Sequence, residues 1–246
     1  MRTRRAVTVF AALTLVSACS LRNVACGRPV PATVQQTDQA AGAAAPPSES
    51  GGDAATLKIA FLGDSLTAGL NLLSQQAYPA LVQDMFAAEG YTQVESVNAG
   101  ISGDTSAGGR RRVDQALEPG VRILVLALGA NDALRGLGAQ QTHDNLKAII
   151  DTARGRGVRV ALCGMEAPTN LGPDYRDAFR AVFAELAREY RADVKFVPFL
   201  LEGVAGHPEL NQADGVHPNE LGAKVIAELL YPTLRTIVDE LGGGGQ

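Results

Sequence analysis

Leu57-Lys58-Ile59-Ala60-Phe61-Leu62-Gly63-Asp64-Ser65-Leu66 is the stretch from which the fold is read. An apolar run rich in Leu, Ile and Phe stops abruptly at Gly-Asp-Ser, the pattern of a buried strand feeding a tight turn. Ser65 falls where the strand ends and a helix can begin. Backbone N–H groups at a helix start are unpaired and favour negative charge. A serine oxygen there can attack, and the anion it generates can be held. Strand-ending serines are also ordinary turn formers, so Ser65 alone decides nothing.

Strands and helices alternate from there on. Ala77 to Glu89 carries Leu81, Val82, Met85 and Phe86 at helical spacing, and Gly90 follows as a C′ glycine. Val94 to Asn98 reads as a second strand, and Thr105 to Leu117 as a helix despite Gly108 and Gly109. Val121 to Leu128 is a continuous apolar run, which suits a strand covered on both faces. Gly129 to Asp132 reads as a turn, Thr142 to Arg154 as a helix, and Val158 to Cys163 as a fourth strand. Met165 to Pro173 is a loop, Asp174 to Tyr190 a helix, Val194 to Val197 a fifth strand, and Asn219 to Leu241 a last helix. Right-handed crossovers then give a parallel sheet with helices on both faces. The expectation is a three-layer α/β/α sandwich around a five-stranded parallel sheet. A flavodoxin-like strand order is favoured, although the pattern itself does not fix the order.

The domain does not begin at the first residue. Met1-Arg2-Thr3-Arg4-Arg5 is basic, and Ala6 to Val16 is apolar but short for a bilayer span. Residues 1–18 read as an export signal of lipoprotein type. Leu15-Val16-Ser17-Ala18-Cys19 resembles a bacterial lipobox, which makes Cys19 the lipid anchor and places the chain on the cell envelope. An ordinary signal peptide with a nearby cysteine is the alternative. Residues 19–56, rich in Ala, Pro, Gly, Ser and Gln, read as a disordered linker. Residues 57–241 form the domain, and 242–246 a flexible tail. A formal net charge of -4, with 20% charged and 46% hydrophobic residues, argues against a nucleic-acid partner and for a globular domain. Arg110-Arg111-Arg112 reads as the solvated face of a helix. Cys163 reads as a small buried hydrophobe, and no Cys/His cluster has metal-ligand spacing.

Ligands of an open parallel sheet bind outside the carboxyl ends of its strands. Gly63-Asp64-Ser65, Gly100-Ile101-Ser102-Gly103-Asp104, Gly129-Ala130-Asn131-Asp132 and Asp214-Gly215-Val216-His217-Pro218 all follow strands and open onto one rim. Serine needs a base to attack at neutral pH. His143 starts an amphipathic helix, and His207 lacks an acid upstream. His217 has Asp214 three residues before it, a spacing that lets one loop supply both the base and the group that fixes its tautomer. A tetrahedral intermediate also needs donors for its oxyanion. Gly103, lacking a side chain, can bring a backbone N–H close, Asn131 can offer its amide, and the Ser65 N–H is a third.

Gly-Asp-Ser-Leu, Gly-Ile-Ser-Gly-Asp-Thr, Gly-Ala-Asn-Asp and Asp-Gly-Val-His-Pro together resemble the four blocks of the SGNH hydrolases, also called GDSL esterases. They stand in the family's order and cover nearly the whole chain from Leu57 to Leu241. Ala-Tyr-Pro-Ala-Leu after the first block and Asn-Asp-Ala-Leu-Arg-Gly around the third resemble the secreted arylesterase, lysophospholipase and acyl-CoA thioesterase group. The resemblance implies a hydrolase acting on carboxylic esters or thioesters. It implies Ser65 as nucleophile, Asp214 and His217 as the base pair, and Gly103 and Asn131 as oxyanion donors, with no metal or organic cofactor. A carbohydrate O-deacetylase uses the same machinery; the loop Met165 to Pro173, expected to wall the acyl pocket, carries Pro168, Leu171 and Pro173 with few charges, which favours an acyl chain over a sugar. A phosphate- or flavin-binding module on the same fold would leave Asp214 and His217 unexplained, and Gly63 to Gly69 lacks the lysine of a P-loop. A hydrolase kept only as a binding protein is the third alternative.

Overall fold

The computed structural model describes residues 56–242. The expected leader, nearly all of the expected linker, Cys19 included, and the last four residues of the expected tail lie outside them. Five parallel strands, β1 (Leu57–Gly63), β2 (Val94–Gly100), β3 (Val121–Ala127), β4 (Arg159–Cys163) and β5 (Val194–Val197), form one sheet in the order β2-β1-β3-β4-β5. The flavodoxin-like order is therefore the one observed. Ile59 to Leu62 and Ile123 to Ala127 are completely buried, as a strand covered on both faces must be.

Among the described residues seven α-helices connect and cover the strands. They are α1 (Ser65–Ala68), α2 (Tyr78–Ala88), α3 (Ser106–Ala116), α4 (Ala130–Leu134), α5 (Ala139–Gly155), α6 (Pro173–Glu189) and α7 (Glu220–Glu240). The chain moves outward from β1 to β2 and then jumps back across β1 to β3. Right-handed crossovers put those two connections on opposite faces. Accordingly α2 packs with α7 on one side, and α3, α5 and α6 pack together on the other. A crevice opens where the direction reverses, at the carboxyl ends of β1 and β3.

Two elements depart from the sequence reading. β2 continues beyond Asn98 through Ala99 and Gly100, because both have ladder partners on β1, ending with Gly63 opposite Gly100. Periodicity cannot see this, since the added residues carry no large apolar side chain. The expected turn at Gly129 to Asp132 is the start of α4. The Asp132 carboxylate is fully buried there and accepts from Ser106 N at 2.8 Å, Ser106 Oγ at 2.5 Å and Thr142 Oγ1 at 3.3 Å. That network pins α4 to the starts of α3 and α5. The glycines inside α3 also have a use: a Cβ on Gly108 would sit 1.5 Å from Asp104 Oδ1.

The crowded end of β2 supports α1. A Cβ on Gly100 would lie 2.2 Å from the backbone nitrogen of Ala68. Gly100→Ala must therefore displace α1 and Ser65 with it. The expected cost is about 2 kcal/mol, or about 4–8 °C in Tm for a domain of this size. Calorimetry checks this, and an unchanged Tm would show that α1 is not held this tightly.

Candidate active site

Ser65 is the first residue of α1, so its N–H has no acceptor within the helix. Asp64 caps that helix, its Oδ1 accepting from Leu66 N at 3.0 Å. Ser65 Oγ lies 2.9 Å from His217 Nε2. On the other side of the ring, His217 Nδ1 lies 2.7 Å from Asp214 Oδ2. Asp214 Oδ1 meanwhile accepts from Val216 N at 2.9 Å and His217 N at 3.0 Å. The two backbone N–H groups of His217 and Val216, with the ring, hold the Asp214 carboxyl down at about 2. It is ionised and can only accept. Nδ1 must then carry the ring proton, which leaves Nε2 free to accept from the Ser65 hydroxyl. The structure thus brings Ser65, His217 and Asp214 into one chain of hydrogen bonds.

Gly103 and Asn131 line the same cleft. Gly103 has φ +80° in a turn closed by Asp104 N to Ile101 O at 3.0 Å, a conformation other residues rarely adopt. Asn131 Nδ2 donates to Asp64 Oδ2 at 3.1 Å, which spends one of its two hydrogens. Arg135, at the far end of α4, donates to the Gly103 carbonyl at 2.8 Å. One short helix therefore ties both residues into place. Asp64 is completely buried, and that burial pushes its carboxyl up to about 6 against the pull of Leu66 N and Asn131. The other two histidines stay apart: His143 faces Asp144 and His207 faces Glu209, each at 3.2 Å.

Three positioning groups were not singled out from the sequence. Arg112 is half-buried rather than solvated, unlike Arg110 and Arg111. It donates to Asp104 Oδ2 at 2.7 Å, Ala99 O at 2.6 Å and Gly63 O at 2.8 Å, joining the ends of β1 and β2 to the Gly103 turn. Gln212 joins the histidine loop to the serine loop. Its Nε2 donates to Leu70 O at 2.8 Å and Pro218 O at 2.9 Å, and its Oε1 accepts from Asn71 at 3.0 Å. Asp64 stood within the first block but had no role assigned. Its signal was present, since Asp in the N-cap position before a helix is a strong pattern. No local pattern announces Arg112 or Gln212.

The cleft has a volume of about 550 Å³, in the range of small-molecule sites. Its walls are largely apolar, with Met165, Ala167 and Pro168 on one side and Phe199 and Leu201 on another. Of the residues expected to wall it, Pro168 does so. Leu171 instead packs against the core, and Pro173 opens α6. Leu134 and Val216 stand half-exposed or more at the mouth. Cys163 is buried on β4, and burial pushes its thiol up to about 12. Among the described residues no group of three or more His, Cys, Asp or Glu could hold a metal ion.

This arrangement can be set beside known proteins. The chain is 40% identical over 186 residues to Esterase TesA of Pseudomonas aeruginosa, covering 75% of this chain and 91% of that one. It is 37% identical over 187 residues to the Thioesterase 1/protease 1/lysophospholipase L1 of Escherichia coli, covering 76% and 87%. The crystal structure of TesA superposes with a TM-score of 0.68 at 41% identity, over 74% of this chain and 99% of that one. Residues 61–225 match the model of the GDSL-like Lipase/Acylhydrolase family, and the chain belongs to that family.

Proposed function

We propose that the protein hydrolyses carboxylic esters or thioesters of aryl ester, lysophospholipid or acyl-CoA type through an acyl-enzyme on Ser65. The unbroken line Ser65–His217–Asp214 at the floor of an apolar cleft carries this reading. The names of the relatives, an esterase and a thioesterase with lysophospholipase activity, support the substrate class.

In this reading each step falls to a residue of the cleft. His217 Nε2 takes the Ser65 proton as Oγ attacks the acyl carbon. The imidazolium so formed is held by the ionised Asp214. The carbonyl oxygen gains its charge between Gly103 N–H, Ser65 N–H and the Asn131 hydrogen that Asp64 leaves free. His217 then gives its proton to the leaving oxygen or sulfur. Water repeats the sequence in reverse and frees the acid. Apolar walls accept the acyl chain.

The same proposal puts a lipid on Cys19, so that the exported domain works from an envelope membrane. The support is the signal-like leader and Leu15-Val16-Ser17-Ala18-Cys19 alone. Mass spectrometry of the exported protein is expected to find a mature form beginning at acylated Cys19; an unmodified or different N-terminus rejects the anchor.

Ser65→Ala is expected to abolish turnover of p-nitrophenyl esters. Asn131→Ala should lower kcat about 10²- to 10³-fold, the range for one oxyanion donor. A fully active Asn131→Ala enzyme would remove that residue from the mechanism.

Asp214→Asn tests the tautomer. If the new amide keeps its oxygen on the Val216 and His217 N–H groups, its NH₂ faces Nδ1 and drives the ring proton to Nε2. The expected fall in kcat is about 10⁴-fold, the loss known for the same change in a serine protease triad. Because Asp214 titrates at about 2, against an ordinary 3.8, its contribution is present above pH 3.8 and lost only as pH falls through 2.

A further inference from the structure

We infer that Asp64 is a positioning residue for the oxyanion site: its buried carboxylate selects and aims the Asn131 amide. This rests on the reading of Asn131 as an oxyanion donor. Asp64 has no exposed surface, and both of its oxygens are engaged by groups from different parts of the chain. Oδ1 takes Leu66 N at 3.0 Å, and Oδ2 takes Asn131 Nδ2 at 3.1 Å. The first bond starts α1, which carries Ser65. The second reaches across to α4, which follows β3. A single carboxylate therefore sets the nucleophile and a proposed donor relative to each other.

The chemistry of an amide explains why an acid is needed. An asparagine side chain fits almost equally well in two orientations half a turn apart, one presenting NH₂ and the other oxygen. The wrong one would aim a lone pair at a developing oxyanion. An ionised carboxylate only accepts, so it holds the NH₂ side towards itself. The two hydrogens of that NH₂ lie in fixed directions in one plane. Engaging one fixes where the other points, and no other acceptor holds Nδ2 among the described residues. A neutral amide at position 64 cannot replace the carboxylate. It has one acceptor oxygen for two donors, so either Leu66 N or Asn131 Nδ2 would face another N–H. The burial of a carboxyl whose acidity is thereby weakened fits a group kept for its geometry rather than for the fold.

The test uses the full chain, a p-nitrophenyl ester, and four variants: Asp64→Asn, Asp64→Ser, Asn131→Ala and the Asp64→Asn/Asn131→Ala double. Asp64→Ser separates two roles, because serine still caps α1 but is too short to hold Asn131. Both position-64 variants are expected to lose about tenfold or more in kcat with KM within about threefold of the parent, the mark of an interaction made in the transition state. The double variant should be no slower than Asn131→Ala by more than about twofold, since the effect passes through one amide. Melting curves establish that each variant is folded, and Asp64→Ser carries the test if Asp64→Asn is not. The inference is overturned if Asp64→Ser keeps kcat within about twofold of the parent while Asn131→Ala is impaired, or if the two losses multiply in the double variant. An unimpaired Asn131→Ala enzyme instead removes the donor assignment, and the inference falls with it.

Discussion

A hydrogen bond of 2.9 Å between Ser65 and His217 joins residues 152 positions apart. The proposed chemistry depends on keeping it at that length. The parallel sheet does the coarse work, because every strand delivers its following loop to the same edge. The fine work is done by polar side chains that would otherwise be costly to bury. Arg112 gathers carbonyls from β1 and β2, Asp132 pins α4, and Gln212 bridges the loops before and after the cleft. Each is satisfied by several partners, which is the condition under which buried polar groups rigidify rather than weaken a core.

That division explains what could be read from the chain alone. The five strands, the major helices and the sandwich were legible because burial on two faces or one leaves a periodic apolar trace. The four loop blocks were legible because three stand at the end of such a trace, the fourth lies in the long loop after β5, and all carry residues with known chemistry. α1 and α4 were not. They are four and five residues long, and their existence depends on caps and buried partners rather than on an amphipathic stripe. Arg112 looked like its two exposed neighbours because nothing in a run of three arginines marks the one that turns inward. The cleft was half visible: Pro168 was expected on its wall, whereas Phe199 and Leu201 come from the loop after β5, where no pattern pointed to the cleft.

α4 has an unusual share of the site for its size. It presents Asn131 to Asp64 and, one turn later, Arg135 to the carbonyl of Gly103. The two proposed donors come from different loops but are referenced to the same rigid piece. A change that shifts α4 should disturb both together, while one in the histidine loop should spare them.

The buried acid at position 64 also sets a tension between durability and chemistry. Its ordinary value is 3.8, and inside the fold it is held near 6, so the native chain keeps this proton more firmly than the denatured chain does. As pH rises through that interval the folded form loses ground, and above it the deficit amounts to about 3 kcal/mol. This is a substantial fraction of the roughly 5–15 kcal/mol that separates a typical domain from its denatured state. Mild acid therefore removes this group's own penalty on the folded state at the same time as it slackens the hold on Asn131. The conditions that favour this proton are therefore the ones in which Asn131 is least firmly aimed.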